Sequence, residues 1–240
     1  MTNNISRSQK LHNDLKHIID STPTGERLLT EPLLARQLGV SRATLREAMR
    51  IFETQGQLRR RQGSGTYVLR PSQVFDSGLE VLESIGTLAK RIGLEVSMGD
   101  FHLESRPATE EEVKAFGRQP ASGVTSLTRV ILAESRPVAY LVDVLPADVL
   151  QASEVEKEFK GSVLDLLISR GTPELSNSRT EINAVTATAE IARLLGIQRG
   201  DVLLMFNSFL YTTSGQVVDY LQSYFLPGYF RFHVIRRVGG

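Results

Sequence analysis

The stretch Glu31-Pro32-Leu33-Leu34-Ala35-Arg36-Gln37-Leu38-Gly39-Val40-Ser41-Arg42-Ala43-Thr44-Leu45 constrains the fold more tightly than any other part of the chain. Two short helices that cross steeply need a small residue where their backbones approach, and Ala35 supplies it. The turn between them needs a residue that tolerates positive φ, and Gly39 supplies that. Val40 and Leu45 plug the angle. Ser41 can cap the second helix of the pair, Thr30 the first, and Pro32 falls in the first turn where its missing N–H costs nothing.

The second helix of the pair is expected over Arg42–Gln55 and has two faces. Leu45, Ala48, Met49 and Phe52 fall on the inner one. Arg42, Arg46 and Arg50 recur every four residues on the other, a cationic ridge suited to the major groove, where Arg reaches phosphates and pairs with guanine O6 and N7. Thr44 can meet a base edge or phosphate, and Ala43 a thymine methyl. After this helix, Gln57–Leu69 places two β-prone segments around Gly63-Ser64-Gly65, the pattern of a hairpin, with Arg59-Arg60-Arg61 on its first arm. A tip of small residues can approach a phosphate backbone or enter a minor groove. Before the helix pair, Arg7–Asp20 carries Leu11, Leu15, Ile18 and Ile19 at helical period, and Ser21–Gly25 breaks that helix. An Arg ridge or an Arg run alone is most often a solvated face. Steep helix pair, basic helix and basic glycine-tipped hairpin in this order are more telling.

Charge supports the same division. Residues 1–71 carry 12 Lys/Arg against 6 Asp/Glu, whereas residues 72–240 carry 16 against 21. One end of the chain is therefore suited to a polyanion and the other is not. The absence of Cys excludes disulfides, thiolate catalysis and sulfur-ligated zinc. Residues 1–10 are polar, with no apolar signal core. Val202–Phe206 is an apolar run far too short to span a membrane, so a cytoplasmic protein without membrane contact is expected. Gly63-Ser64-Gly65 lacks the Lys-Ser/Thr of a phosphate loop and opens no helix, and no HExxH or GxSxG pattern occurs.

The segments Gly39–Arg50 and Gln62–Val68 resemble the N-terminal domain of GntR-type bacterial transcriptional regulators. The likeness covers about 60 residues, with helix and wing motifs at the family's separation. It implies a three-helix winged helix-turn-helix with a β-hairpin wing, acting as a homodimer on a short palindromic operator in double-stranded DNA. With the cationic ridge and the hairpin, the expected DNA-contacting residues are Ser41, Arg42, Thr44, Arg46, Arg50, Arg61 and Gly65. The family usually opens its second helix with a Pro-Ser-Glu-Arg-like segment. Here that segment reads Leu29-Thr30-Glu31-Pro32, so Pro32 stands where an Arg often contacts a base.

Pro71-Ser72-Gln73 and Asp76-Ser77-Gly78 mark a linker. The expected division is 1–71 for the DNA-binding domain, 72–78 for the linker and 79–240 for a second domain. In the latter, a helix is expected at Leu79–Ile92 and a strand at Glu95–Ser105. A capping box of Thr109 with Glu112 should start a short helix ending at Gly117. Val124–Ala133 and Pro137–Leu145 read as a hairpin, Ser162–Arg170 as a helix and Ser176–Val185 as a strand. Ala187–Leu195 reads as a helix stopped by Gly196, and Val202–Thr212 with Gln216–Phe225 as a further hairpin. This is an α+β pattern on an antiparallel sheet.

The second domain resembles the UTRA module of the HutC branch of GntR regulators, whose fold is like that of chorismate lyase. The resemblance runs over residues 78–237. It is carried by Arg129, Arg136–Ala139, Leu145-Pro146, Gly161–Leu164, Thr180–Ala184, Leu194–Gly196, Asp219-Tyr220 and Phe230–Phe232. It implies effector binding and dimerisation, with Arg129, Ser162, Arg179, Glu181, Asp219 and Phe225 in the effector pocket. Arg129 can clamp a carboxylate or phosphate, and Glu181 and Asp219 can accept from ligand hydroxyls or amines. Sugar-phosphate sensors of this group carry an Arg-x-Arg pair, a Glu and tyrosines where this chain has Ile131, Leu141, Leu164 and Phe225. Those differences favour an effector with more apolar surface and at most one anionic group. Neither cofactor nor metal is implied. The competing readings are an enzyme of chorismate-lyase-like fold acting on a small organic acid, and a non-specific nucleic-acid-binding protein. The four His residues give the enzyme reading little support, because a lone His is more often structural than catalytic.

Overall fold

A computed structural model describes residues 6–54, 56–61, 64–68 and 75–236. The chain forms two compact units, Met1–Val74 with Pro227–Tyr229, and Phe75–Leu226 with Phe230–Gly240.

The first unit contains helices α1 (Arg7–Ser21), α2 (Glu31–Gln37) and α3 (Arg42–Thr54), followed by strands β1 (Leu58–Arg61) and β2 (Gly65–Val68). The strands pair antiparallel, from Leu58 opposite Val68 to Arg61 opposite Gly65. Periodic apolar positions explain the packing. Leu11, Leu15 and Ile19 from α1 meet Leu34 and Ala35 from α2, Leu45, Met49 and Phe52 from α3, and Leu58 and Val68 from the hairpin, all buried in one core. Burying each large side chain stabilises the unit by roughly 1.5–3 kcal/mol before entropy is counted. Gly39 takes φ +66°, and the Val40 N–H reaches back to the Ala35 carbonyl (3.0 Å), closing the turn between α2 and α3. Ser41 Oγ accepts from the Thr44 N–H (3.1 Å). Thr30 stands at the start of α2, but its hydroxyl makes no capping bond there. The wing holds one feature that the pattern did not predict. Residues 25–28 lie along β2, with bonds from the Leu28 N–H to the Thr66 carbonyl and from the Val68 N–H to the Glu26 carbonyl, both 2.8 Å.

The second unit is built on a six-stranded antiparallel sheet. Its strands are β4 (Val96–Arg106), β5 (Val124–Ala133), β6 (Arg136–Pro146), β7 (Leu175–Thr186), β8 (Val202–Thr212) and β9 (Val217–Phe225), in the order β4-β5-β6-β9-β8-β7. Five short helices accompany it: α4 (Ile85–Arg91), α5 (Glu110–Phe116), α6 (Ala152–Glu158), α7 (Val163–Arg170) and α8 (Ala189–Leu195). Strands β3 (Phe75–Gly78) and β10 (Phe230–His233) form a separate parallel pair. α6 and α7 cover one face, where Val155, Val163, Leu166 and Leu167 pack on Leu127, Leu145 and Leu210. α5 lies on the other, with Phe116 against Val144 and Tyr220.

The α+β class, the two hairpins and the capping box at Thr109 appear as the pattern predicts. The helix expected over Leu79–Ile92 does not. It starts only at Ile85, where the Ser84 hydroxyl caps it, and Val81 before it is 67% exposed. Residues 75–78 of the expected linker are strand β3, and residues 72–74 lie outside the described part.

Candidate functional site

The first unit presents α3 and the wing. Ser41, Arg42 and Thr44 are exposed at the start of α3, with the Ser41 and Thr44 hydroxyls 2.8 Å apart. Arg46 is a turn further on, its side chain 56% exposed and 3.3 Å from Glu31. Arg50 lies another turn along and is 3.3 Å from Glu47. Glu31 also lies 3.4 Å from Arg60 on β1, and Arg60 lies 3.1 Å from Glu53. Arg60, Glu31 and Glu53 are largely covered, their side chains 28%, 19% and 20% exposed, whereas Arg46 and Glu47 are the exposed members of their pairs. Arg61 ends β1 opposite Gly65, and its side chain lies outside the described residues, as do Gln62 and Gly63. Gly65 has φ +119°, and a Cβ there would collide with the Arg27 guanidinium. Arg27 is thus a further exposed cation at the wing. It was invisible to motif reading because the segment that carries it joins the wing only through backbone pairing.

In the second unit, the helix-covered face of the sheet holds three buried charged side chains on adjacent strands. Arg129 of β5, Asp143 of β6 and Asp219 of β9 are 5%, 2% and 3% exposed. Arg129 Nη1 donates to Asp143 Oδ2, Nε donates to the Gly161 carbonyl (3.0 Å), and the guanidinium lies 5.6 Å from the centre of the Phe159 ring. Burial pushes the Asp219 carboxyl well above its ordinary value, and the charge of Asp143 pushes the same way, against Arg129. Asp219 therefore holds its proton more tightly than an exposed aspartic acid does. Its Oδ1 is buried without a hydrogen-bond partner. A buried polar atom left this way costs roughly 1–3 kcal/mol, which a donor from a ligand recovers.

Loops beside this trio are tied down by hydroxyls. Ser162 Oγ accepts from the Asp165 N–H (3.1 Å) at the start of α7, and Asp165 Oδ2 accepts from Ser84 Oγ (2.7 Å). Phe225 shares the face but packs into an aromatic cluster with Phe206, Phe230 and Phe232, ring centres 4.7–5.1 Å away.

Arg179 and Glu181 are not brought to this group. The row Thr180, Ser208, Leu221, Asp143, Leu127 crosses five strands on the trio's face, whereas Arg179, Phe209, Tyr220, Val144, Ser126 forms the neighbouring row, facing the other way. Arg179 and Glu181 pair with each other there at 2.7 Å, both exposed. On that same face the Tyr220 hydroxyl donates to Glu111 (2.7 Å) and is pushed up to about 12 by burial and that carboxylate. Asp143, Ser84 and Asp165 were not singled out from the sequence. The register that sets Asp143 beside Arg129 becomes visible only once the strands are aligned.

Among the described residues no cluster of His, Cys, Asp and Glu could hold a metal, and no helix is long and apolar enough to cross a membrane. An exposed recognition-type helix with a wing, and a separate sheet domain carrying a buried polar trio, define a DNA-binding regulator with an effector-type domain. Comparison with known proteins gives the same answer. The model of the gntR family of bacterial regulatory proteins matches residues 8–68, and that of the UTRA domain matches residues 92–231. The chain belongs to the UTRA-containing GntR family of transcriptional regulators, whose members are not enzymes.

Among its relatives is the HTH-type transcriptional repressor NagR of Bacillus subtilis, 29% identical over 82% of this chain and 79% of that protein. The histidine utilization repressor of Pseudomonas putida is 27% identical over 77% and 73% of the two. The crystal structure of PhnF from Mycobacterium smegmatis has a TM-score of 0.62 at 22% identity, covering 95% of this chain and all of the other, a likeness of fold.

Proposed function

We propose that the chain is a cytoplasmic, homodimeric repressor that holds a palindromic operator with α3 and the wing and loosens or changes that hold when a small metabolite binds its UTRA domain. Residues 1–71 carry DNA binding; residues 79–240 carry effector binding and dimerisation. Ser41, Arg42, Thr44, Arg46, Arg50, Arg61 and Gly65 form the DNA side, joined by Arg27. In a dimer the two α3 helices would meet major grooves one helical turn apart, about 34 Å.

Arg129, Asp219 and Ser162 form the effector side, with Phe225 in its apolar wall. Arg179 and Glu181, on the opposite face, are left out of this set. The observation that carries the effector reading is the unpartnered, buried Asp219 Oδ1 beside Arg129 and Asp143. Because Asp143 already meets the Arg129 charge, Asp219 is the group that selects a hydroxyl or amine donor on the ligand. Ile131 and Leu141 on the same face favour apolar surface around it. Effector binding alters operator affinity to the extent that the ligand prefers one arrangement of the dimer.

The test is fluorescence anisotropy on palindromic and scrambled duplexes at fixed salt. The palindrome should bind at least about a thousandfold more tightly, and Arg46→Ala should weaken it by about 1–3 kcal/mol. Equal affinity for both duplexes refutes the reading. A metabolite found by thermal shift should release or recruit the wild-type protein from the palindrome. Asp219→Ala should lose that response while keeping DNA affinity.

A further inference from the structure

The buried trio of the second unit sets two acids against one base. Arg129, Asp143 and Asp219 are all buried, and among the described residues the one ion pair of the trio joins Arg129 to Asp143. With both carboxylates ionised, one negative charge would stand in excess away from water. A folded domain avoids that by keeping a proton or by taking up a cation. Asp219 is the acid left over. Burial and the charge of Asp143 make it hold a proton tightly, and its Oδ1 has no hydrogen-bond partner.

The base is already engaged. Arg129 Nη1 donates to Asp143, Nε donates to the Gly161 carbonyl, and the Phe159 ring lies beside the guanidinium. A ligand carboxylate or phosphate could clamp Arg129 only by displacing Asp143, and would then stand beside two acids. A neutral hydroxyl could meet Asp219 Oδ1, but it leaves the count of charges as it was. An ammonium satisfies both conditions. It donates to Oδ1 and supplies the missing positive charge, and any proton on Asp219 leaves to solvent. Next to the trio, the same face of the sheet presents apolar side chains. Ile131, Ala139 and Phe225 form a row across three strands, and Leu141 stands opposite Arg129; all four are buried.

We infer that the effector is a monocationic amine on an apolar body, its ammonium on Asp219 and its hydrocarbon against Ile131, Leu141 and Phe225. This rests on the effector reading above and deepens it: the donor on the ligand is an amine, and no anionic group of the ligand meets Arg129.

Thermal melting of the full chain tests it with matched probes: short alkyl and arylalkyl amines, and the alcohols and carboxylates of the same skeletons. The amines should raise the melting transition of the second unit, and the alcohols and carboxylates should not. For the best amine, titration calorimetry should show binding about tenfold or more weaker in Asp219→Asn. Run in two buffers of different ionisation enthalpy, the same titration should show proton release from the wild type and none from the variant. Amines that bind wild type and Asp219→Asn equally, alcohols or carboxylates that act through Asp219 in their place, or no probe acting through Asp219 at all, each overturn the amine assignment. The effector reading falls separately, if a metabolite that moves the wild type on the operator moves Asp219→Ala to the same extent.

Discussion

Removing the Asp143 carboxylate is expected to be among the most damaging single changes in the second unit. Its side chain is 2% exposed and that of Arg129 is 6% exposed, so Asp143→Ala strands a guanidinium away from water. Breaking a buried pair from one side costs about 3–5 kcal/mol. The neighbouring Asp219 should soften this loss. Once Asp143 is gone, both its charge and its hydrogen bond cease to raise the Asp219 carboxyl, leaving burial alone, and the Asp219 carboxylate can take over part of the pairing with Arg129. Asp143→Ala should therefore cost near the lower limit, about 3 kcal/mol. The double variant Asp143→Ala/Asp219→Ala should cost clearly more than that, because no carboxylate is then left to meet the Arg129 charge. The assay is calorimetric melting of the full chain, with the transition of the first unit as an internal reference. At about 2–4 °C per kcal/mol for a domain of this size, the second transition should fall by roughly 10 °C in the single variant. A shift below 2 °C, or a double variant no worse than the single, would refute the buried trio as the support of this face.

The raised Asp219 carboxyl has a signed consequence for pH. The folded state holds its proton more tightly than the unfolded chain, so the stability tied to it is complete below the ordinary value of 3.8 and is lost as pH rises through the elevated one. Asp219→Asn should flatten that decline, raising Tm at pH 8 relative to wild type and leaving the two alike near pH 4; parallel curves would count against it. Gly65→Ala should destabilise the first unit by about 1–3 kcal/mol, since φ +119° suits only glycine and the Arg27 guanidinium occupies the space. Urea unfolding followed by circular dichroism reads that loss, and an unchanged midpoint would contradict it. In the turn between β5 and β6, Glu134 and Ser135 have φ of +51° and +61°, and replacing them with Asn-Gly should stabilise the second unit by about 1 kcal/mol. A fall in the second melting transition would argue against that turn geometry.

What could be read from the sequence was local or periodic. Gly39, Ser41 and the Thr109/Glu112 box act over three or four residues, and the structure shows each in the conformation that its chemistry demands. Long-range partnership was not legible. Arg106 makes a two-pronged bond to Glu112 that fixes the end of β4 to the start of α5, yet nothing in the spacing announces it. Asp143 looks like one more residue of an apolar strand until β5 and β6 are set in register. Arg179 and Glu181 lie within a motif that resembles the family, but odd and even positions of one strand face opposite ways, and a motif does not report which side is covered. The expected helix began too early because Val81 continues the helical spacing of Ile85, Leu88 and Ile92, whereas the Ser84 hydroxyl starts the helix one turn later.

Glu31 has a further consequence for how the protein searches DNA. Lying within 3.4 Å of both Arg46 and Arg60, it is a tethered counter-anion that a phosphate would have to displace if those arginines meet DNA. Random sequence, which offers phosphates alone, gains little from that exchange. A matching site also offers guanine acceptors to the freed guanidinium. If Arg46 meets the operator as proposed, a single acid on α2 would weaken binding to random sequence more than binding to the matching site.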